Sequence, residues 1–112
     1  MRIGVEHEGG TCADYLGLVA TVAHPFVGAM LGLGHCTYFQ SVLALRDPAE
    51  HVVALNETIR TMVRTLGAHL FSLHAHDVRQ SDWRDHRCVG SGVIDSRALF
   101  EELKGVGYAG LF

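Results

Sequence analysis

Leu70-Phe71-Ser72-Leu73-His74-Ala75-His76-Asp77-Val78-Arg79 decides how this chain is read. An apolar run of strand length breaks abruptly into imidazoles and a carboxylate, with Asp85-His86 and Gly90-Ser91-Gly92 close behind. Buried strands are apolar runs of about 4–8 residues bounded by turn signals. A strand over 70–75 that ends in His and Asp gathers those groups at one sheet edge, where α/β enzymes place their sites. An unpartnered imidazole in an apolar run costs free energy. For His74 the partner is either Asp77 or a metal ion.

Upstream, two more apolar runs end in polar groups. Arg2-Ile3-Gly4-Val5-Glu6 reads as a strand closing on Glu6-His7-Glu8 and the breaker pair Gly9-Gly10. Phe26 to Leu33 reads as a second, ending at Gly34-His35-Cys36. Helices fill the gaps. Thr11 caps one that runs to about His24, with Leu16, Val19, Val22 and Ala23 inward, and Pro25 stops it. Asp47-Pro48-Ala49-Glu50 is a capping box with proline at the first helical position. That helix carries an apolar stripe of Val52, Leu55, Ile59, Met62, Val63 and Leu66 and ends at Gly67. A polar loop is expected over 77–92. Asp95 caps a last helix with Leu99, Phe100 and Leu103 inward, and a fourth strand begins at Tyr108.

The order β-α-β-α-β-α-β, with helices between strands, implies a parallel sheet with right-handed crossovers. Glu6, His35 and His74 then share the carboxyl edge. A carboxylate and two imidazoles from different strands suit zinc, manganese or a similar divalent ion, although a satisfied loop histidine is the more common fate of a lone His such as His35. Period-two alternation turns His7 and His76 to the other face, outside the ligand shell. His24, His51 and His69 read as structural or solvated. Gly90-Ser91-Gly92 is a weak phosphate-loop signal, because no lysine follows and the helix starts only after Asp95.

Composition narrows the field. The chain has 112 residues, 48% hydrophobic, and a net charge of −3, which fits one folded domain spanning 1–112. No basic run exists, which argues against a phosphate-tracking nucleic-acid surface. No segment reaches the roughly 18 apolar residues of a membrane span, and Glu6-His7-Glu8 stands where a signal peptide wants apolar residues. Three cysteines (Cys12, Cys36, Cys88) fit neither a disulfide framework nor a zinc knuckle, so a cytoplasmic setting is expected.

Several motifs together resemble a known family. His74-Ala75-His76-Asp77, Asp85-His86-Arg87, Gly90-Ser91-Gly92-Val93-Ile94-Asp95 and Gly107-Tyr108-Ala109-Gly110 resemble the C-terminal half of the xylose isomerase-like barrels. That superfamily holds sugar (phosphate) isomerases and epimerases and the endonuclease IV group. Ile3-Gly4-Val5-Glu6 resembles its fifth strand, and Val27 to His35 its sixth. The resemblance implies a partial (half) TIM barrel and a divalent ion such as manganese, cobalt, magnesium or zinc, which polarises a sugar carbonyl. It also implies aldose–ketose isomerisation or epimerisation through an enediolate, with carboxylates as acid and base. Carried over by position, Glu6 is a metal ligand and catalytic carboxylate, His74 a ligand, and His35 a catalytic residue that meets substrate or, as in the nuclease branch, metal.

Two positions depart from the pattern. Gly32 stands where the family has an aspartate ligand, and the final glutamate would fall just beyond Phe112. Glu8, Asp77 and His86 are the nearby groups that could compensate. The expectation is therefore a weakened metal site, or none, in which case the chain is a non-catalytic remnant serving as a binding or assembly module. An abasic-site endonuclease fits the acidic composition poorly. Half a barrel leaves two unpaired edges and an uncovered apolar face, so a homodimer, larger homo-oligomer or complementary half-barrel chain is expected as partner, besides a small sugar or sugar phosphate; the alternative is that the chain is a fragment of a longer protein.

Overall fold

A computed structural model of the chain describes residues 2–110. Three parallel strands, β1 (Ile3–Val5), β2 (Val27–Gly32) and β3 (Leu70–His74), form one sheet in the order β1-β2-β3. Register places Val5 beside Ala29 and Gly32 beside His74, with an irregularity between Ala29 and Met30. Because the strands are parallel, Glu6, Gly32 and His74 reach the same edge.

All three expected helix starts are present, each with the cap its sequence supplies. Thr11 accepts from the Asp14 N–H (3.1 Å) ahead of α1 (Cys12–Val22). A short 3₁₀ turn (Gly34–Tyr38) and α2 (Gln40–Leu43) fill the stretch after β2. Asp47 accepts from the Glu50 N–H (3.0 Å) ahead of α3 (Pro48–Leu66), and Asp95 from the Ala98 N–H (3.0 Å) ahead of α4 (Ser96–Gly105). A side-chain oxygen there satisfies a main-chain donor that the first helical turn leaves open.

One face of the sheet carries the core: Ala29, Leu31, Leu70 and Leu73 join Tyr15, Val19, Leu55, Ile59, Met62 and Val63 in a single buried cluster. On the opposite face Gly4, Met30 and Ser72 are only half-buried. Gly28 makes room there for Phe71, whose ring carbons would lie 2.9 Å from a Cβ at that position. Parallel strands with helices over one face are the architecture of a partial TIM barrel. Among the described residues, the outer edges of β1 and β3 have no paired strand.

Several expectations need correction. α1 packs through Tyr15 and Val19, while Val22 is 42% exposed. The reason is the Tyr15 hydroxyl, which donates to the Val5 carbonyl (2.5 Å) and anchors that face on the sheet. In α4, Leu99 and Leu103 point inward and Phe100 is 48% exposed. The expected loop holds an antiparallel hairpin, β4 (Asp77–Arg79) and β5 (Arg84–Arg87). Asp82 closes its turn, taking two hydrogen bonds from the Arg79 guanidinium (3.0 and 2.6 Å) and one from the Arg84 N–H (3.2 Å). Strands this polar lack the apolar alternation that would reveal them. The fourth parallel strand is not formed over Tyr108–Gly110, and its last two residues, 111–112, lie outside the described residues.

Candidate metal centre

Each candidate ligand is set by what ends its strand. Beyond Val5 the chain leaves the sheet at Glu6, and Gly9 and Gly10, both at positive φ, turn it toward α1. Beyond Gly32 the chain tightens directly into the 3₁₀ turn, which puts His35 over the end of β2. His74 ends β3 itself. Glu6, His35 and His74 do converge: Glu6 Oε1 lies 3.4 Å from His74 Nδ1 and 3.7 Å from His35 Nδ1. Glu6 and His74 are open to solvent, whereas the His35 side chain is 12% exposed.

Asp85 supports this group from behind. Its Oδ2 lies 3.1 Å from both His35 Nε2 and His86 Nδ1, and its Oδ1 accepts from the Tyr38 hydroxyl (3.1 Å). Burial works to raise the Asp85 carboxyl. Hydrogen bonds from His86 and Tyr38, with the neighbouring imidazole charges, outweigh it and hold the group below the usual carboxylate range. The same burial, together with Asp85, pushes the Tyr38 phenol up.

His76 is closer to the site than alternation implies. β3 ends at His74, so the period of two no longer applies, and the backbone turns His76 inward to 9% exposure. Gly34 leaves the space that its ring fills. His76 Nδ1 accepts from the His86 N–H (3.1 Å), while its buried Nε2 has no hydrogen-bond partner. His7 does turn away from Glu6, to stack on Phe39 (centroids 4.7 Å, planes 7° apart). Burial first, then neighbouring imidazoles, lowers both His7 and His76 to about 4, so both are neutral at neutral pH.

His35, His76 and His86 each offer a nitrogen within 4.8 Å of the others'. Yet the His76 and His86 rings are stacked, centroids 4.4 Å and planes 7° apart. Imidazole lone pairs lie in the ring plane, so parallel stacked rings do not aim at one ion together. His76 and His86 each pack edge-on against the His35 ring, centroids 5.1 Å from it, and line the cleft beside it.

The remaining candidates separate clearly. Asp77 is buried, and both its oxygens are taken: Oδ1 by the Val78 and Ile94 N–H groups (2.8 and 3.0 Å) and Oδ2 by the Gly90 N–H (3.0 Å). The Gly90–Gly92 segment thus wraps a carboxylate of its own chain. Glu8 is exposed and lines a recess of about 280 Å³ with His35 and Tyr38. Beside it, a cleft of about 540 Å³ is lined by Leu73, His74, Ala75, His76 and His86. His51 is a buried structural group, with Nε2 2.7 Å from Thr37 Oγ1 and its ring stacked on Trp83. Sequence reasoning missed His76 and the support from Asp85. The adjacency Asp85-His86 was the available signal, but the hairpin that folds it over His35 was hidden.

The donor types present are ones that a divalent ion takes, but among the described residues the group of three donors lying within 4.8 Å of one another is His35, His76 and His86, not Glu6 with His35 and His74. A solvent-facing carboxylate stands beside two imidazole nitrogens, one of them, His35 Nδ1, buried and without a hydrogen-bond partner.

Comparison with known proteins agrees with this fold. The profile of the family described as xylose isomerase-like TIM barrel matches residues 2–112. A solved structure titled D-tagatose 3-epimerase-like protein superimposes with a TM-score of 0.61 at 26% identity, over 99% of this chain. The chain spans 39% of the length of that relative. No curated protein matches it. From the sheet, its polar carboxyl edge and the matched profile, the chain belongs to the xylose isomerase-like TIM-barrel family.

Proposed function

We propose that the chain carries part of the site of a divalent-metal-dependent sugar isomerase or epimerase. One observation supports it above the others: Glu6 from β1 and His74 from β3 meet at the carboxyl edge of a parallel sheet, 3.4 Å apart, beside an open cleft. When bound, the ion supplies Lewis-acid polarisation of a sugar carbonyl. Glu6 and His74 hold it, and the cleft lined by His74, His76 and His86 takes the sugar or sugar phosphate.

Glu6 has a second task. Its carboxylate is accessible and flanked by imidazoles, suited to taking the proton from the carbon beside the carbonyl and returning it. The rest of the barrel, whether more of the same polypeptide, another copy or a complementary chain, would close the outer edges of β1 and β3 and bring the opposing acid or base. On this reading the purified chain runs in light scattering as a dimer or larger, and in the cell a reducing cytoplasm keeps its three cysteines free.

The test is turnover of ketoses and aldoses with Mn²⁺ or Co²⁺ in deuterated water. Proton abstraction predicts product carrying solvent deuterium, lost in Glu6→Gln. Gly32, which has no side chain to bind with, favours the rival reading of a non-catalytic binding module. No turnover at saturating metal would decide for that module.

A further inference from the structure

His76 carries an inference that rests on the sugar-enzyme reading above and deepens it. It stands two residues beyond the end of β3, its ring lines the cleft of about 540 Å³, and the residue is 9% exposed. Its two ring nitrogens differ. Nδ1 accepts from the His86 main-chain N–H (3.1 Å), whereas Nε2 is buried without a hydrogen-bond partner. A main-chain N–H can only donate, so Nδ1 presents its lone pair and carries no hydrogen. In the neutral ring the hydrogen is then on Nε2. His76 thus holds a buried N–H donor without an acceptor, a state that native proteins rarely leave unfilled.

The same bond bars His76 from a metal. A ring nitrogen binds an ion through its lone pair, which at Nε2 would require moving the hydrogen to Nδ1. There it would meet the His86 N–H, donor against donor. The metal-like spacing of His76 with His35 and His86 is therefore not a ligand set.

Charge decides what kind of acceptor fits. The cleft is walled by Leu73, His74, Ala75, His76 and His86, with no lysine or arginine among the described residues that line it. Arg87, next in sequence, bonds the Asp85 carbonyl through Nε (3.1 Å). Two carboxylates stand close by, Asp85 at 3.1 Å from His86 Nδ1 and Glu6 at 3.4 Å from His74 Nδ1. They repel a phosphate of charge about −1.5 to −2, whereas a hydroxyl or carbonyl oxygen meets no such cost.

We propose that His76 is a sugar-binding residue whose Nε2–H donates to an uncharged hydroxyl or carbonyl oxygen of the ligand in the cleft. The His86 ring, stacked on His76 with centroids 4.4 Å apart and itself open to solvent, is the cover that the ligand displaces. Exposed side chains change rotamer within about nanoseconds, so this cover opens without rebuilding the fold. This end of the cleft accordingly takes a neutral sugar in preference to the phosphate of a sugar phosphate.

The test is long-range proton–nitrogen NMR of the histidines in the whole chain, titrated with Zn²⁺, with each D-ketohexose and with D-fructose 6-phosphate. The His76 hydrogen should be on Nε2 in the free protein and stay there with Zn²⁺ bound. At least one ketohexose should shift that signal saturably, and the phosphate should do so more weakly. His76→Phe should weaken ketohexose binding about tenfold, the worth of one hydrogen bond, and leave Zn²⁺ affinity unchanged. His76→Gln, which keeps a donor, should recover most of the loss. Circular dichroism identifies a variant that has merely unfolded, and the wild-type spectra need neither variant. A hydrogen on Nδ1, or a folded His76→Phe that binds ketohexose like wild type, overturns the proposal. Zn²⁺ that strips the hydrogen from Nε2 makes His76 a ligand, overturning the proposal while the metal reading stands. Zn²⁺ bound at Glu6 and His74 with no ketohexose reaching His76, or with the phosphate preferred, overturns the proposal alone. Neither Zn²⁺ nor ketohexose bound by wild type overturns both.

Discussion

Glu6 Oε1 and His74 Nδ1 stand 3.4 Å apart, joining the ends of the two outer strands across β2. A ligand that binds only the folded state stabilises it, by about 2.7 kcal/mol at a hundred times its dissociation constant. Saturating Zn²⁺ should therefore raise the thermal midpoint of wild type measurably, and Glu6→Gln should abolish the rise. An equal rise in Glu6→Gln would place the ion elsewhere.

Asp77 is predicted to matter for folding and not for metal. Asp77→Asn puts an amide donor among main-chain N–H groups that now share two carboxylate oxygens. The loss of charge-assisted bonds to buried donors should cost about 2–3 kcal/mol in urea unfolding. Zn²⁺ affinity should be unchanged. A variant as stable as wild type but weak in zinc would make Asp77 a ligand.

These two aspects of the chain were unequally legible. The caps at Thr11, Asp47 and Asp95 could be read directly, because a capping side chain bonds within its own turn. The convergence of Glu6, His35 and His74 was also readable, since parallel strands bring every strand end to one edge. Asp77 was not. It looked like a ligand three residues after His74, but its partners lie at Gly90 and Ile94, across a hairpin that no apolar pattern announced. His76 was misjudged because alternation holds only while the strand lasts. Tyr15 turned α1 away from its expected face through a hydroxyl bond that hydrophobic spacing does not register.

Asp85 should act on the site at one remove. Asp85→Asn removes the carboxylate that faces His35 Nε2 and His86 Nδ1, so the His35 ring loses its preferred tautomer and its anchor. Outer partners of this kind typically cost about 10–100-fold in metal affinity. Calorimetry with Zn²⁺ measures the loss, and unchanged affinity would remove Asp85 from the account.

The cysteines should react in a fixed order. Cys88 is exposed, Cys12 half-buried and Cys36 fully buried. Burial raises the thiols of Cys12 and Cys36, lowering the thiolate fraction that attacks alkylating reagents. Mass spectrometry after brief iodoacetamide treatment should find Cys88 modified first and Cys36 only after denaturation. Early labelling of Cys36 would mean that the helical layer opens readily.

The most direct measurement is anomalous diffraction at the zinc edge from crystals of the chain grown with Zn²⁺. On this account Zn²⁺ should give a peak against Glu6 and His74 at the carboxyl end of the sheet. A peak between His76 and His86, or no peak at that edge, would contradict it.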